Sequence, residues 1–145
     1  MNPKVSSPKK ILSPIRLQLP ALPALGKAAR DFIYQTSVGL GLSKRGAYEL
    51  KLASGEAFNN IIVHAYEGKF GQPIFIEINA YSSYLEVQLT DLGIQKPISS
   101  NLARDLGDYR TSGLGLFIIN KFTDHHHYDQ ERPRGTRLTL KKKLS

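Results

Sequence analysis

Residues 74–91 read IFIEINAYSSYLEVQLTD, two runs in which every second residue is apolar. Ile74, Ile76 and Ile78 alternate with Phe75, Glu77 and Asn79, and Leu85, Val87 and Leu89 alternate with Glu86, Gln88 and Thr90. Strand side chains point to opposite faces with a period of two, so each run presents one apolar face to a core. The intervening Ala80-Tyr81-Ser82-Ser83 suits a tight connection, and the whole stretch predicts a β-hairpin. Asp91 continues the parity of Leu85, Val87 and Leu89, which turns it to the core side at the end of its strand. A carboxylate there is poorly explained as surface decoration. It either accepts hydrogen bonds from a ligand amine or caps the next turn through Gly93.

Upstream of the hairpin, Ser43 is a good N-cap for a long helix from about Arg45 to Tyr66, broken by Gly68, Gly71 and Pro73. Before it, Leu25, Ala28, Ala29, Phe32 and Ile33 recur at helical spacing from Leu22 up to Gly39 and Gly41. Ile15, Leu17 and Leu19 alternate with Arg16 and Gln18 as a short strand stopped by Pro20, and residues 1–13 read as a flexible basic tail. Downstream, residues 92–112 predict an irregular loop with a helical turn near Leu102, followed by a helix over Gly113–Phe122. His125–Tyr128 and Arg137–Leu140 suit a last pair of strands around a turn at Pro133–Gly135. The order β-α-α-β-β-loop-α-β-β predicts an α+β two-layer sandwich, with helices on one face of a mainly antiparallel sheet over residues 14–145.

The chain has 145 residues, 41% of them apolar, which fits one domain with a real core. No apolar run approaches the ~20 residues that cross a bilayer, and the charged, proline-punctuated opening lacks the apolar centre of a secretory signal. The absence of cysteine excludes disulfides and thiolate metal sites. A soluble cytoplasmic protein with no membrane partner is the simplest reading. The net charge of +8 gathers partly in Lys4, Lys9 and Lys10 and in Lys141, Lys142 and Lys143. No recognition helix, zinc spacing or aromatic-interleaved basic sheet accompanies it, so direct nucleic-acid binding is not expected. These lysines are read as solvated ends.

Three elements could carry chemistry. Glu56, Asn60 and His64 recur every four residues, and each step of four rotates only about 40° and rises about 6 Å, so they share one broad helix face. Leu52 and Val63 fall on that face too, and such spacings also arise on plain solvent faces. Asp91 is the second element. The third is Ser112-Gly113-Leu114-Gly115-Leu116, a glycine-rich lead into an apolar helix, whose N-terminal N–H groups attract phosphate. It reads equally as an ordinary glycine turn. Arg104 and Arg110 in the preceding loop either reach phosphate or are solvated. Together the elements address different parts of one ligand: a carboxylate for an adenine amine, a helix start for phosphates, an Asn oxygen for Mg2+, and a Glu that takes a proton from an attacking hydroxyl. For His125-His126-His127, at most His125 and His127 share a strand face, and the run is read as strand rather than metal site.

The pattern resembles the GHKL (Bergerat-fold) ATPase superfamily and, within it, the bacterial anti-sigma-factor serine/threonine kinases. Glu56 through Tyr66 is similar to that branch's E-x-x-x-N-x-x-x-H-A-Y helix, and Asp91-Leu92-Gly93 resembles the start of its adenine box. Gly113-Leu114-Gly115 resembles the second glycine box and Gly135-Thr136 the terminal G-T-x-L-x-L strand. Leu19-Pro20-Ala21 and Ala29-Arg30-Asp31-Phe32 fit its first strand and helix, so the likeness runs from about residue 15 to 142. The resemblance implies ATP/ADP and Mg2+ as cofactors, with Glu56 as general base and Asn60 as the Mg2+ ligand beside His64. It implies Asp91 on the adenine amino group, Gly93 giving close approach, and Thr136 near the adenine pocket. Gly113, Leu114 and Gly115 would open the phosphate-binding helix, Arg110 would touch the terminal phosphate, and residues 94–112 would form the ATP lid. The implied partners are a sigma factor and a STAS-domain anti-anti-sigma protein, with a homodimer as the working form. Gln95 and Pro97 stand where the adenine box often continues with a glycine, which implies a stiffer or differently shaped hinge. No phosphoacceptor-histidine domain precedes the motifs and no transducer or hydrolase domain follows. That argues against sensor histidine kinases and against the topoisomerase, chaperone and mismatch-repair branches.

Overall fold

The computed structural model describes residues 10–97 and 110–144. Five strands, β1 (Ile15–Pro20), β2 (Pro73–Ala80), β3 (Tyr84–Thr90), β4 (His125–Asp129) and β5 (Arg137–Lys143), form one sheet in the order β1-β2-β3-β5-β4. Every neighbouring pair is antiparallel. Three helices, α1 (Gly26–Gly39), α2 (Lys44–Asn60) and α3 (Arg110–Phe122), complete the predicted α+β sandwich. The hairpin forms in the register that its alternation demands, with Ile76 opposite Leu89 and Ile78 opposite Val87. Ile74, Ile76, Ile78, Leu85, Val87 and Leu89 are all buried beneath the helices, together with Leu50, Phe58, Ile119 and Leu140. Burial of each such side chain contributes about 1.5–3 kcal/mol, which makes this layer the main source of stability.

The helix boundaries differ from the sequence reading in informative ways. Pro23 starts a short 3-10 turn over Pro23–Leu25, and α1 begins only at Gly26. Ser43 caps α2 as expected, its hydroxyl accepting from the Gly46 N–H at 3.0 Å. The long helix is not uniform to Tyr66, however. From Ile61 to Ala65 it widens into a π-helical turn, closed by the Tyr66 N–H donating to the Ile61 carbonyl at 2.9 Å. Such turns insert a residue into the helix and re-aim the side chains beyond it, and Val63, expected on the face of Glu56 and Asn60, is 56% exposed. The third helix starts at Arg110, so Gly113 lies in its first turn rather than ahead of it. The Leu102 turn, Arg104 and Lys4 and Lys9 lie outside the described residues.

Of the lysines read as solvated ends, Lys141 and Lys142 make side-chain contacts, whereas Lys10 and Lys143 are exposed. β5 runs on to Lys143, and its parity sends Lys142 to the helix side after Leu138 and Leu140. There Nζ donates to Glu49 Oε1 of α2 at 2.7 Å and to the Phe122 carbonyl at the end of α3 at 2.9 Å. Lys141 faces the other way and stands over the Tyr84 ring at 5.1 Å. At the other end of the chain, Lys10 bridges to Tyr81, and the Ile11 N–H donates to the Ala80 carbonyl at 2.8 Å.

The Lys142–Glu49 pair ties both helices to the sheet, with side chains only 13% and 19% exposed. The hydrogen bond from Lys142, aided by its charge and that of Arg45, holds the Glu49 carboxyl below its ordinary value against the opposing effect of burial. A depressed carboxyl stabilises the fold above its unfolded pKa, and that contribution is lost as pH falls through the lower folded value. Glu49→Gln is therefore expected to cost about 1–2 kcal/mol at pH 7, with the deficit shrinking below pH 4. Urea titrations across that pH range check both the size and the sign.

Candidate functional site

A cleft opens between the C-terminal half of α2, the π turn and the ends of β3, β4 and β5. Asn60, His64, Asp91 and Thr136 line it, with Ala57, Ile61, Leu89, Leu116 and Leu138 as apolar walls. The helix motif and the strand-end carboxylate, far apart in sequence, thus share one cavity. Glu56 and Gly115 meet at its edge. A Cβ on Gly115 would stand 3.1 Å from Glu56 Oε1, a tight approach, and 3.7 Å from Asn60 Oδ1, an ordinary contact, so α3 rests closely on these two side chains. Leu114, by contrast, is 57% exposed and outside the cleft lining. Arg110 and Gly113 are placed as backbone of the first turn of α3, without a described side-chain environment for either.

Asp91 is 3% exposed, as its parity predicts. Its Oδ1 accepts from the Gly93 N–H at 2.8 Å, so the turn-capping reading is realised, yet the carboxylate still lines the cleft. Burial pushes its pKa above the ordinary 3.8, against the pull of the Gly93 and Thr136 backbone N–H groups and the charge of Arg132. Gly93 serves a protein contact: the position of its missing Cβ is taken by the Ala65 carbonyl at the end of the π turn. That same carbonyl accepts from the Ile94 N–H at 3.0 Å. Gly135 has φ +76, a region that favours glycine, and a Cβ there would collide with the Asp91 carbonyl. Tyr66 closes this corner, its hydroxyl donating to the Pro73 carbonyl at 2.6 Å and accepting from the Leu92 N–H at 2.8 Å.

His64 is half-buried, and burial together with the charge of Lys96 lowers its pKa, which keeps the ring neutral at pH 7. Lys96, Tyr128 and Gln130 also line the cleft and were not anticipated from sequence. Burial raises the Tyr128 phenol to about 12, so it stays protonated. Its alternation with His126 on β4 was the available signal, and the two rings make an edge contact at 6.1 Å. His125 and His127 are exposed. Among the described residues, no group of three or more His, Cys, Asp or Glu side chains is placed to hold a metal, and no helix is long and apolar enough to cross a membrane. Gln95, at the position where a glycine was expected, turns its amide onto the Gln130, Arg132 and Gly135 carbonyls at 2.9–3.0 Å. The segment is braced rather than hinged at that point.

The sequence model of the histidine kinase-like ATPase domain matches residues 19–142, and the chain belongs to that family. The serine-protein kinase RsbW of Listeria innocua is 31% identical over 119 residues, covering 76% of this chain and 75% of its own. The anti-sigma F factor of Clostridium botulinum is 31% identical over 102 residues, covering 67% of this chain and 71% of its own. Among solved structures, the SiaB–SiaC complex of Pseudomonas aeruginosa contains a chain with a TM-score of 0.65, 12% identity and 88% coverage of each chain. The RsbU and RsbW domains of a Mycobacterium tuberculosis protein give a TM-score of 0.64 at 14% identity, covering 92% of this chain and 32% of that one. These two likenesses concern the fold.

The residues fit a purine nucleotide with its metal: a buried acceptor carboxylate, apolar walls, and a cradle beside Glu56 and Asn60 that a Cβ would fill. The raised pKa of Asp91 makes a separate prediction. The native state holds that proton to higher pH than the unfolded chain, so stability falls as pH rises from 3.8 through the folded value. Asp91→Asn cannot titrate. Wild-type stability measured relative to Asp91→Asn by denaturant unfolding is expected to decline from pH 3 to pH 7, and a flat difference would contradict the burial argument.

Proposed function

We propose that this protein binds Mg-ATP in the cleft and phosphorylates a serine or threonine of a STAS-domain anti-anti-sigma protein, and by that exchange controls a sigma factor in the cytoplasm. The observation that carries the reading is the packing of Gly115 onto Glu56 and Asn60 at one end of a cleft whose other end holds the buried Asp91. A carboxylate and an amide oxygen packed against a glycine of α3 suit a phosphoryl-transfer end, and an apolar pocket ending in an acceptor carboxylate suits a base. The names of the Listeria and Clostridium relatives support the kinase and the anti-sigma parts respectively.

In this reading Asp91 accepts from the adenine amino group, and Leu89, Ile61 and Leu138 sandwich the ring and exclude water. Thr136 stands beside Asp91, and the neutral His64 lies near the sugar and phosphates without adding charge. The amide oxygen of Asn60 holds Mg2+, which when bound offsets charge on the phosphate oxygens. Gly113, Leu114 and Gly115 are assigned to the phosphates, and Arg110 to the terminal one, on the resemblance alone. Glu56 takes the proton of the attacking hydroxyl as its oxygen bonds to the terminal phosphorus. The bond from that phosphorus to the bridging oxygen breaks, and ADP leaves with the electron pair.

Removing a general base typically costs 10²–10⁴-fold. Glu56→Gln is therefore expected to slow phosphate transfer to the cognate STAS protein by at least about a hundredfold, while Mg-ATP affinity by calorimetry stays within about threefold. Asp91→Asn is expected to weaken ATP binding at least about tenfold, because the pocket loses its anionic acceptor. Transfer unaffected by Glu56→Gln sinks the base assignment. ATP binding with no transfer in the wild type leaves a nucleotide-gated switch without kinase activity, and no binding at all overturns the reading.

A further inference from the structure

The amide of Gln130 has one permitted orientation. Its Nε2 lies 2.9 Å from the Lys96 carbonyl oxygen and 3.0 Å from Thr136 Oγ1. A backbone carbonyl accepts and never donates, so the atom facing Lys96 is the –NH2 nitrogen and not the amide oxygen. The same nitrogen therefore donates its second hydrogen to Thr136, and the Thr136 hydroxyl oxygen accepts. A hydroxyl that accepts from one side must aim its own hydrogen elsewhere. Thr136 is 9% exposed and lines the cleft, and its carbonyl accepts the Asp91 N–H at 3.0 Å, so the two residues face each other just beyond the paired ends of β3 and β5.

Gln130 is itself fixed. Its backbone carbonyl accepts from Gln95 Nε2 at 3.0 Å, and the Gln95 amide also reaches the Arg132 and Gly135 carbonyls. The two glutamines thus cross-brace the segment leaving β3 against the β4–β5 connection. Neither amide can flip without placing an oxygen against a carbonyl oxygen. The brace occupies one lone pair of the Thr136 hydroxyl and turns its hydrogen away from Gln130.

We propose that Gln130 is a specificity-determining positioning residue: by donating to Thr136 it takes up one lone pair of that hydroxyl and favours its use as a hydrogen-bond donor beside the acceptor Asp91. The cleft then selects a base whose edge carries an amine next to a bare ring nitrogen, as adenine does. It rejects one with a carbonyl next to a ring N–H, as in hypoxanthine and guanine. An acceptor–donor pair matches the first edge at both atoms and opposes the second at both. The inference rests on the nucleotide-binding reading above.

The test is calorimetric competition between Mg-ATP and Mg-ITP, whose bases differ at this edge alone. Five proteins are compared: wild type, Gln130→Glu, Gln130→Met, Thr136→Val and the double variant Gln130→Glu/Thr136→Val, with Gln130→Met bringing no charge and carrying the test should Gln130→Glu not fold. Wild type is expected to prefer ATP by more than about tenfold. Gln130→Glu replaces the donor with an acceptor, so the Thr136 hydrogen turns toward it and the ATP:ITP ratio falls at least about tenfold. Gln130→Met frees the hydroxyl to rotate and lowers the ratio by less. With Thr136→Val there is no hydroxyl to turn, and adding Gln130→Glu moves the ratio less than about twofold. A general distortion of the wall would move it in both backgrounds, which overturns the proposal. So do ratios within about twofold of wild type in both Gln130 variants, or equal binding of ATP and ITP by wild type, and in these cases ATP binding itself stands. A wild type that binds no ATP defeats the nucleotide reading and this inference with it.

Discussion

Three stretches of backbone cross at the exit of β3 with no side chain between them, and the cleft depends on that crossing. The Ala65 carbonyl fills the place of a Gly93 side chain, and the Asp91 carbonyl fills that of Gly135. The Gly135 N–H donates to the Gly93 carbonyl at 2.9 Å. Backbone polar groups that are buried must be paired, and here each segment supplies the partner for another. The π turn belongs to the same arrangement, since it delivers the Ala65 carbonyl to Gly93 and the Tyr66 hydroxyl to Leu92. A side chain at either glycine would part the segments, and the floor of the cleft with them.

The fold was legible because the strongest local signals agreed with the global one. The alternation of residues 74–91 set the central hairpin and its register, and Ser43 announced α2 by a cap chemistry independent of packing. Asp91 was legible for a subtler reason: parity alone put a charge on the core side of a strand. The π turn was not legible, because Ile61-Ile62-Val63 satisfies helical and widened spacing equally well and tertiary contacts decide between them. Lys141 and Lys142 were misread because a basic run at a chain end looks like tail composition, whereas β5 carries its alternation through them to an ion pair with Glu49. Gln130 gave no signal at all, and Gln95 stood out only as a departure from the adenine box. Their role lies in amide orientation across 35 residues of separation, and no periodicity encodes that.

The cleft is also where the molecule departs from the rules that govern the rest of it. Elsewhere, most buried groups are apolar or paired, as in the Lys142–Glu49 link, with the Ser37 and Ser54 hydroxyls as exceptions. At the cleft a carboxylate is held at 3% exposure with backbone N–H groups as its nearest partners, and half-buried His64 is kept uncharged. Such groups cost stability that the Ile and Leu layer beneath supplies. The surrounding walls are braced rather than loose, with Gln95 and Gln130 holding the β3 exit and the β4–β5 connection in fixed register. A site with that rigidity keeps its polar groups aimed before any ligand arrives, which lowers the ordering cost of binding.

The sheet order has a consequence for how the molecule comes into being. β5, fifth of the strands in chain order, lies between β3 and β4 rather than at an edge. During synthesis the first three strands can pair and α1 and α2 can cover them, but β3 keeps an open flank until the final strand emerges. β4 precedes β5 and has no described strand to pair with until it arrives. Sheet closure therefore waits on contacts of long sequence separation, which form slowly. Thr136 and Leu138, which line the cleft, arrive with that closing segment. The binding site and the finished sheet appear in the same step, so a nascent or truncated chain lacking β5 has neither.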